Sequence, residues 1–186
     1  INGALWNKLF RSDIALAHRI PDFKVGEDLC YQQAIYRDCS SIACTDEVLI
    51  HYRVRTASVI SNTEERTIRC FAEELARQYH QAQDPAQKDT IGLLAFIHIG
   101  ISMALRAADN PQINLHAHLK WTARYLKDHY GWLRKNRWMR LQQLRKRGVK
   151  GIALWGCRLL YRLGCFRLFL WCYRGAVRLF HVDFKF

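Results

Sequence analysis

The last third of the chain combines a strong positive charge with long apolar stretches, and this combination limits what it can fold into. Residues 120–186 contain 17 lysines and arginines against two acidic residues, Asp128 and Asp183, whereas residues 1–119 contain 12 basic and 14 acidic residues. The net charge of +13 therefore belongs to the tail. Such a surface attracts anionic partners, and the front of the chain need not contact them.

Beyond Gly148 the tail has two apolar stretches separated by Gly164, and each is predicted to be a helix with its arginines on a narrow stripe. Neither has an uninterrupted apolar run of roughly 18–20 residues, which a membrane-spanning helix requires. We expect both helices to lie in the interface of an anionic membrane rather than to cross it. The arginines expected to bind this membrane are Arg158, Arg162, Arg167, Arg174 and Arg178.

The composition is that of a folded protein, with 186 residues of which 50% are hydrophobic and 24% charged. The sequence shows no charged segment followed by the apolar core of a signal peptide. The cysteines are expected to be small buried side chains in a reducing cytoplasm, and the protein is expected to be cytoplasmic and peripheral at the inner face of the cell membrane. Its seven cysteines form no C-x-x-C pair, which disfavours a zinc site or a disulfide framework. His116 and His118 stand two apart on a predicted helix and point in different directions, so a metal role for this pair is also disfavoured.

Three regions follow one another along the chain, with predicted bounds of 1–60, 61–131 and 132–186. The first mixes strands and helices, the second is helical, and the third is the basic tail. Ser61 with Glu64, or Asn62 with Glu65, matches a capping box at the start of the second region. The predicted strands are 4–10 and one or two within 41–54, of which the second is 48–54. The predicted helices before the tail are 12–18, 27–37, 63–82, 85–108 and 114–130.

An acidic pair, Glu27 and Asp28, follows Gly26 at the predicted start of a helix. Acidic residues in a first turn complement the helix dipole and are common there. Their position alone therefore does not indicate catalysis. A catalytic role depends on the motifs that surround the pair.

Those motifs are WNKLF at 6–10, PDFKVGEDLCY at 21–31, TDEVLIHYRVR at 45–55, and Ser58. In order and spacing they resemble the second half of the catalytic domain of glycosyltransferase family 2, of the bacterial surface-polysaccharide type. The family's D-x-x-L-x-x-Y-R-x-R-x-x-S segment is matched by Asp46, Leu49, Tyr52, Arg53, Arg55 and Ser58. The resemblance covers about residues 1–60, and it implies an α/β fold, the C-terminal half of a GT-A-like sandwich with a mixed sheet.

The resemblance also implies roles for single residues. Asp28 falls where inverting members hold the general base that deprotonates an acceptor hydroxyl, and Glu27 would orient the acceptor. The reaction implied is transfer of a sugar from a nucleotide-sugar donor to a glycan or a lipid-linked acceptor. The substrate-binding residues implied are Trp6, Lys8, His51, Arg53, Arg55 and Ser58.

Four of these substrate-binding residues have a structural alternative. Arg53 and Arg55 alternate with Val54 and fit the solvated face of a strand equally well, and His51 fits a packed strand residue. Trp6 fits core packing as well as stacking on a sugar.

The family's Asp-x-Asp metal motif is absent from this sequence. The chain is therefore expected to be the acceptor side of a longer enzyme, inactive alone, whose divalent metal (Mg²⁺ or Mn²⁺) is bound elsewhere.

Two other functions remain open. One is a non-catalytic peripheral membrane protein that keeps a remnant of a transferase. The other is nucleic-acid binding by the basic segment 132–150, which is disfavoured because residues 168–171 are too apolar for a solvated groove.

Overall fold

The computed structural model describes residues 4–51 and 63–180, with side chains up to 176 in the last helix. Helices make up 70% of these residues, and no strand occurs among them. The expected α/β sandwich with a mixed sheet is therefore wrong, and the described fold is all-helical. The α-helices are α1 Ser12–Leu16, α2 Glu27–Asp38, α3 Glu65–Gln81, α4 Pro85–Ala95, α5 Met103–Asp109, α6 Leu115–Tyr130, α7 Leu141–Lys146, α8 Gly148–Arg162 and α9 Phe166–Phe180.

Both predicted strands fail within the described residues. Residues 4–10 form a turn, in which the Lys8 amide donates to the Leu5 carbonyl at 3.1 Å, and Leu9 is fully exposed. Residues 48–51 are exposed and belong to no strand. The physical reason is that β-forming side chains stabilise a strand only when a neighbouring strand pairs with its backbone.

The chain divides into two compact units, residues 1–78 and 79–186. In the first unit α2 is the central element, and its apolar side chains are buried together with those of α3. The predicted helix at 27–37 is confirmed with one residue added. The buried apolar residues of these two helices are Leu29, Cys30, Tyr31, Ile35, Ile68, Phe71, Ala72, Leu75 and Ala76.

In the second unit one long helical segment runs from Pro85 to Asp109 and is interrupted by a π-helix, Phe96–Ser102. Asp84 caps it by accepting from the Ala86 and Gln87 amides, and Asn114 caps α6 by accepting from Ala117. Helices α8 and α9 contribute Leu154, Cys157, Tyr161, Phe166 and Leu170 to the buried core. The tail is therefore an integral part of this unit.

Among the described residues, Pro85–Asp109 is the one helix that is long and apolar enough to cross a membrane. Of its most apolar stretch of 18 residues, 61% is buried inside the protein. Core helices of soluble proteins pass the same test, so this segment does not by itself indicate a membrane span.

Candidate functional site

The acidic pair lies on the first turn of α2, where the chain enters the helix through a tight turn. Gly26 has a φ of +89°, and a Cβ added to it would come within 2.5 Å of the Phe71 ring. Only glycine combines this left-handed backbone with such a close approach. Glu27 and Asp28 are half-buried, whereas the next five residues, 29–33, are buried. The packed helix therefore presents two carboxylates at a fixed place on the surface of the first unit.

A lysine lies within electrostatic reach of this pair. The Lys8 ammonium donates to the Ala4 carbonyl at 2.6 Å and to Asn7 Oδ1 at 2.7 Å. Burial lowers the pKa of Lys8, and the negative charge of Asp28 partly offsets this effect. Two of the sequence-predicted site residues, Lys8 and Asp28, therefore interact electrostatically.

The charge of Asp28 also affects the pKa of Glu27. Burial raises the pKa of Glu27, and the neighbouring charge of Asp28 raises it further. A carboxyl group with a raised pKa is protonated more readily than an ordinary glutamate, so Glu27 is suited to donate a hydrogen bond.

Of the remaining predicted substrate-binding residues, the structure describes only some. Trp6 lies in the turn before α1 and is 46% exposed, so the core-packing alternative for it is not supported. His51 is exposed and belongs to no helix or strand. Arg53, Arg55 and Ser58 lie outside the described residues.

A buried network beneath α2 was not anticipated from the sequence. The Gln78 amide of α3 donates to the Cys30 carbonyl at 2.9 Å and to Glu74 Oε1 at 2.8 Å. Burial alone would raise the pKa of Glu74, but hydrogen bonds from Arg77 and Gln78 hold it below its usual value. The i, i+3 and i+4 spacing of Glu74, Arg77 and Gln78 is the sequence signal for this network, which fixes α2 behind the acidic turn.

In the tail, the predicted arginine stripe splits into inward and outward members. Arg158 is half-buried, and its guanidinium donates to the Leu133 carbonyl at 3.4 Å. Arg174 donates to the Ala108 carbonyl and pairs with Asp109 at 2.9 Å. Arg162 and Arg167 are exposed, and the side chain of Arg178 lies outside the described part of the chain.

The tail also exposes apolar side chains that the sequence analysis did not single out. Trp171 is 75% exposed and Leu168 is 57% exposed. Arg167 and Arg174 stand four residues before and three residues after Trp171, so they flank it on the same side of α9. On α8 the exposed apolar residues are Val149, Ile152 and Trp155, and Leu163 is exposed directly after this helix.

Within the described residues no group of three or more His, Cys, Asp and Glu side chains is arranged to hold a metal ion. The divalent metal that the resemblance implies therefore finds no ligand set in this part of the chain, and no chemical step is assigned to it. No protein-family model, curated protein or solved structure matches the chain.

Proposed function

We propose that the first unit supplies the general base of an inverting glycosyl transfer, and that Asp28 is this base. One observation carries the proposal: the motif-matched carboxylate lies half-exposed on the first turn of a buried helix and within electrostatic reach of Lys8. The ordered motifs of residues 6–58 support the reaction class, since they resemble glycosyltransferase family 2.

The chemistry fits a carboxylate in this position. A sugar hydroxyl is a poor nucleophile, and a carboxylate within hydrogen-bond distance takes its proton as the oxygen attacks the anomeric carbon. The new C–O bond forms on one face of the sugar while the bond to the nucleoside diphosphate breaks on the other, so the configuration inverts. The proton ends on Asp28, and the diphosphate leaves with the bonding electrons.

Glu27 and Lys8 assist in this scheme. Glu27, whose raised pKa favours its protonated form more than usual, orients the acceptor by hydrogen bonding. The Lys8 ammonium holds the loop before α1 through the Ala4 carbonyl and adds positive charge near the reacting groups.

The test is transfer from a panel of nucleotide-sugars by the full-length protein carrying Asp28→Asn. The substitution keeps the shape and removes the basicity, so we expect kcat to fall by roughly 10²–10⁴-fold with little change in KM. Asp22→Asn, an exposed aspartate in the same loop, is the matched control and should retain activity. Unchanged turnover by Asp28→Asn in a correctly folded protein would exclude Asp28 as the base.

A second function, docking on an anionic membrane at the cytoplasmic face, is favoured by the exposed side chains of α9. Tryptophan and leucine flanked by arginine are the side chains that enter the headgroup and acyl boundary, and each basic residue near the surface adds about 1 kcal/mol. The sequence has no acidic residue between Asp128 and Asp183, although Asp109 pairs with Arg174 and offsets part of this attraction.

Point variants test this docking better than deletion of the tail, because α8 and α9 carry buried core residues. We expect Trp171→Ser and Leu168→Ser each to weaken binding to phosphatidylserine vesicles about tenfold or more. Leu49→Ser, an exposed leucine in the first unit, is the control. Equal binding by all three variants, or binding that is unaffected by salt and by lipid charge, would contradict the proposal.

A further inference from the structure

A cavity of about 500 Å³ opens on the second unit where α6 ends. Its walls include three aromatic residues, Tyr79, Tyr130 and Trp132, and three cations, Lys127, Arg134 and Lys135. The volume lies within the range of small-molecule sites in proteins.

The backbone at this cavity is held in a conformation that its residues disfavour. Gly131, Trp132 and Leu133 have φ values of +55°, +59° and +54° in succession. Such a backbone is unusual for tryptophan and leucine, and it persists only where the surroundings fix it. Leu133 is buried beside Gly92, and the Asn136 amide donates to the Asp89 carbonyl at 2.6 Å just beyond the turn. The packed core therefore holds Trp132 in the cavity wall at the expense of its backbone preference.

The positive charges around the cavity are not paired with carboxylates in the part of the chain that the structure describes. Within the described residues no carboxylate forms an ion pair with Lys127, Arg134 or Lys135. Arg158 and Arg162 add to the same positive field: burial lowers the pKa of Arg158, and the charges of Arg162 and Arg134 lower it further. Clustered cations of this kind favour an anionic ligand.

We propose that this cavity binds a saccharide carrying a phosphate or diphosphate group. The aromatic side chains provide faces against which the apolar side of a sugar ring packs, and the lysines and Arg134 bind the phosphate oxygens. The aromatic and cationic walls of the cavity by themselves favour a ligand with a ring and a phosphate group. The choice of a sugar ring over a nucleobase rests on the proposed glycosyl transfer. The phosphate belongs either to a soluble sugar phosphate or to the headgroup of a lipid-linked sugar.

Titration calorimetry on the intact protein separates the ligands. Glucose 1-phosphate is the soluble probe, vesicles bearing a lipid-linked sugar diphosphate are the second, and glucose, inorganic phosphate and uridine diphosphate complete the set. Binding of either sugar phosphate more tightly than both glucose and inorganic phosphate supports the proposal, and the tighter of the two identifies the source. Equal binding of inorganic phosphate, or preference for uridine diphosphate, overturns it.

The variant Trp132→Gly distinguishes a ligand-binding role of the Trp132 side chain from a purely structural one. Glycine accepts a φ of +59° without strain, which offsets part of the packing lost with the indole ring, so the variant should remain folded while its affinity for the sugar phosphate falls about tenfold or more. Arg134→Gln should weaken binding as well, and Lys120→Gln, an exposed cation elsewhere on α6, should not. Retained affinity in Trp132→Gly overturns the site. Because Asp28→Asn leaves this cavity intact, loss of turnover with retained binding distinguishes this site from the proposed base.

Discussion

The Tyr161 hydroxyl of α8 donates a buried hydrogen bond of 2.5 Å to the Gly100 carbonyl, inside the π-helix of the second unit. A π-helix that returns to α-helical bonding skips one backbone acceptor, so this stretch can accept from a side chain. The Tyr161 ring stacks on Phe166 and meets Phe96 edge-on. One side chain thus joins the π-helix to both tail helices.

Removing this hydroxyl should destabilise the protein. Tyr161→Phe keeps the ring contacts but deprives a buried carbonyl of its donor, which costs about 1–3 kcal/mol. Urea unfolding should show a lower midpoint with an unchanged slope. Tyr36→Phe, which removes a hydroxyl from a partly exposed tyrosine bonded to Gln32 at 3.5 Å, is the control and should change stability little.

Gly26→Ala should be strongly destabilising, because two costs add at this position. The new Cβ meets the Phe71 ring, and the backbone φ of +89° is unfavourable for alanine. We expect a loss of about 3 kcal/mol in the free energy of unfolding. At Gly164 φ is +72° but no atom lies within 4 Å of the added Cβ, so Gly164→Ala should cost only about 1 kcal/mol. Equal effects of the two substitutions would show that Phe71 does not restrict the turn.

Two glycines of α8 should respond in opposite directions to alanine. A Cβ at Gly151 collides with the backbone carbonyl of Leu144, so Gly151→Ala must push α7 away from α8 and should destabilise the protein by several kcal/mol. A Cβ at Gly156 meets nothing within 4 Å, and Gly156→Ala should stabilise the helix by about 0.5–1 kcal/mol. Thermal unfolding of the two variants beside the unmodified protein measures the difference.

Several helix ends were predictable from a local rule, whereas the predicted capping boxes of Ser61 and Asn62 lie outside the described residues. Asp84 followed by Pro85, and Asn114 before α6, act as the caps that their residue types suggest. The break between α8 and α9 falls at Gly164, as predicted. These features depend on neighbouring residues alone, so a single sequence contains them.

Features that depend on distant partners were not predictable. The β-forming residues at 48–51 lack a pairing strand among the described residues, so propensity alone misled the prediction. Nothing in the sequence Gly131-Trp132-Leu133 indicates three left-handed residues, because tertiary packing imposes them. Helical spacing placed Arg158 and Arg174 on a surface stripe, but their acceptors, Leu133 and Ala108, come from other elements.

The stability of the second unit should fall in mild acid because of His98. Burial, and then the positive charge of Arg106, lower the pKa of His98 to about 4. In the unfolded chain an ordinary histidine titrates near 6.5, so between these values the unfolded state binds more protons than the folded state. Stability is therefore complete above about pH 6.5 and decreases as the pH falls toward 4, by up to about 3 kcal/mol.

Urea unfolding measured across this pH range checks the prediction, with His98→Gln as the comparison. Glutamine does not titrate, so the variant should lose most of the slope between pH 6.5 and 4 even if it is less stable at neutral pH. His116→Gln, an exposed histidine at the start of α6, should keep the slope. The only change to proton binding in this variant is the loss of His98. If stability depends on pH with the same slope in His98→Gln as in the unmodified protein, groups other than His98 cause the acid sensitivity.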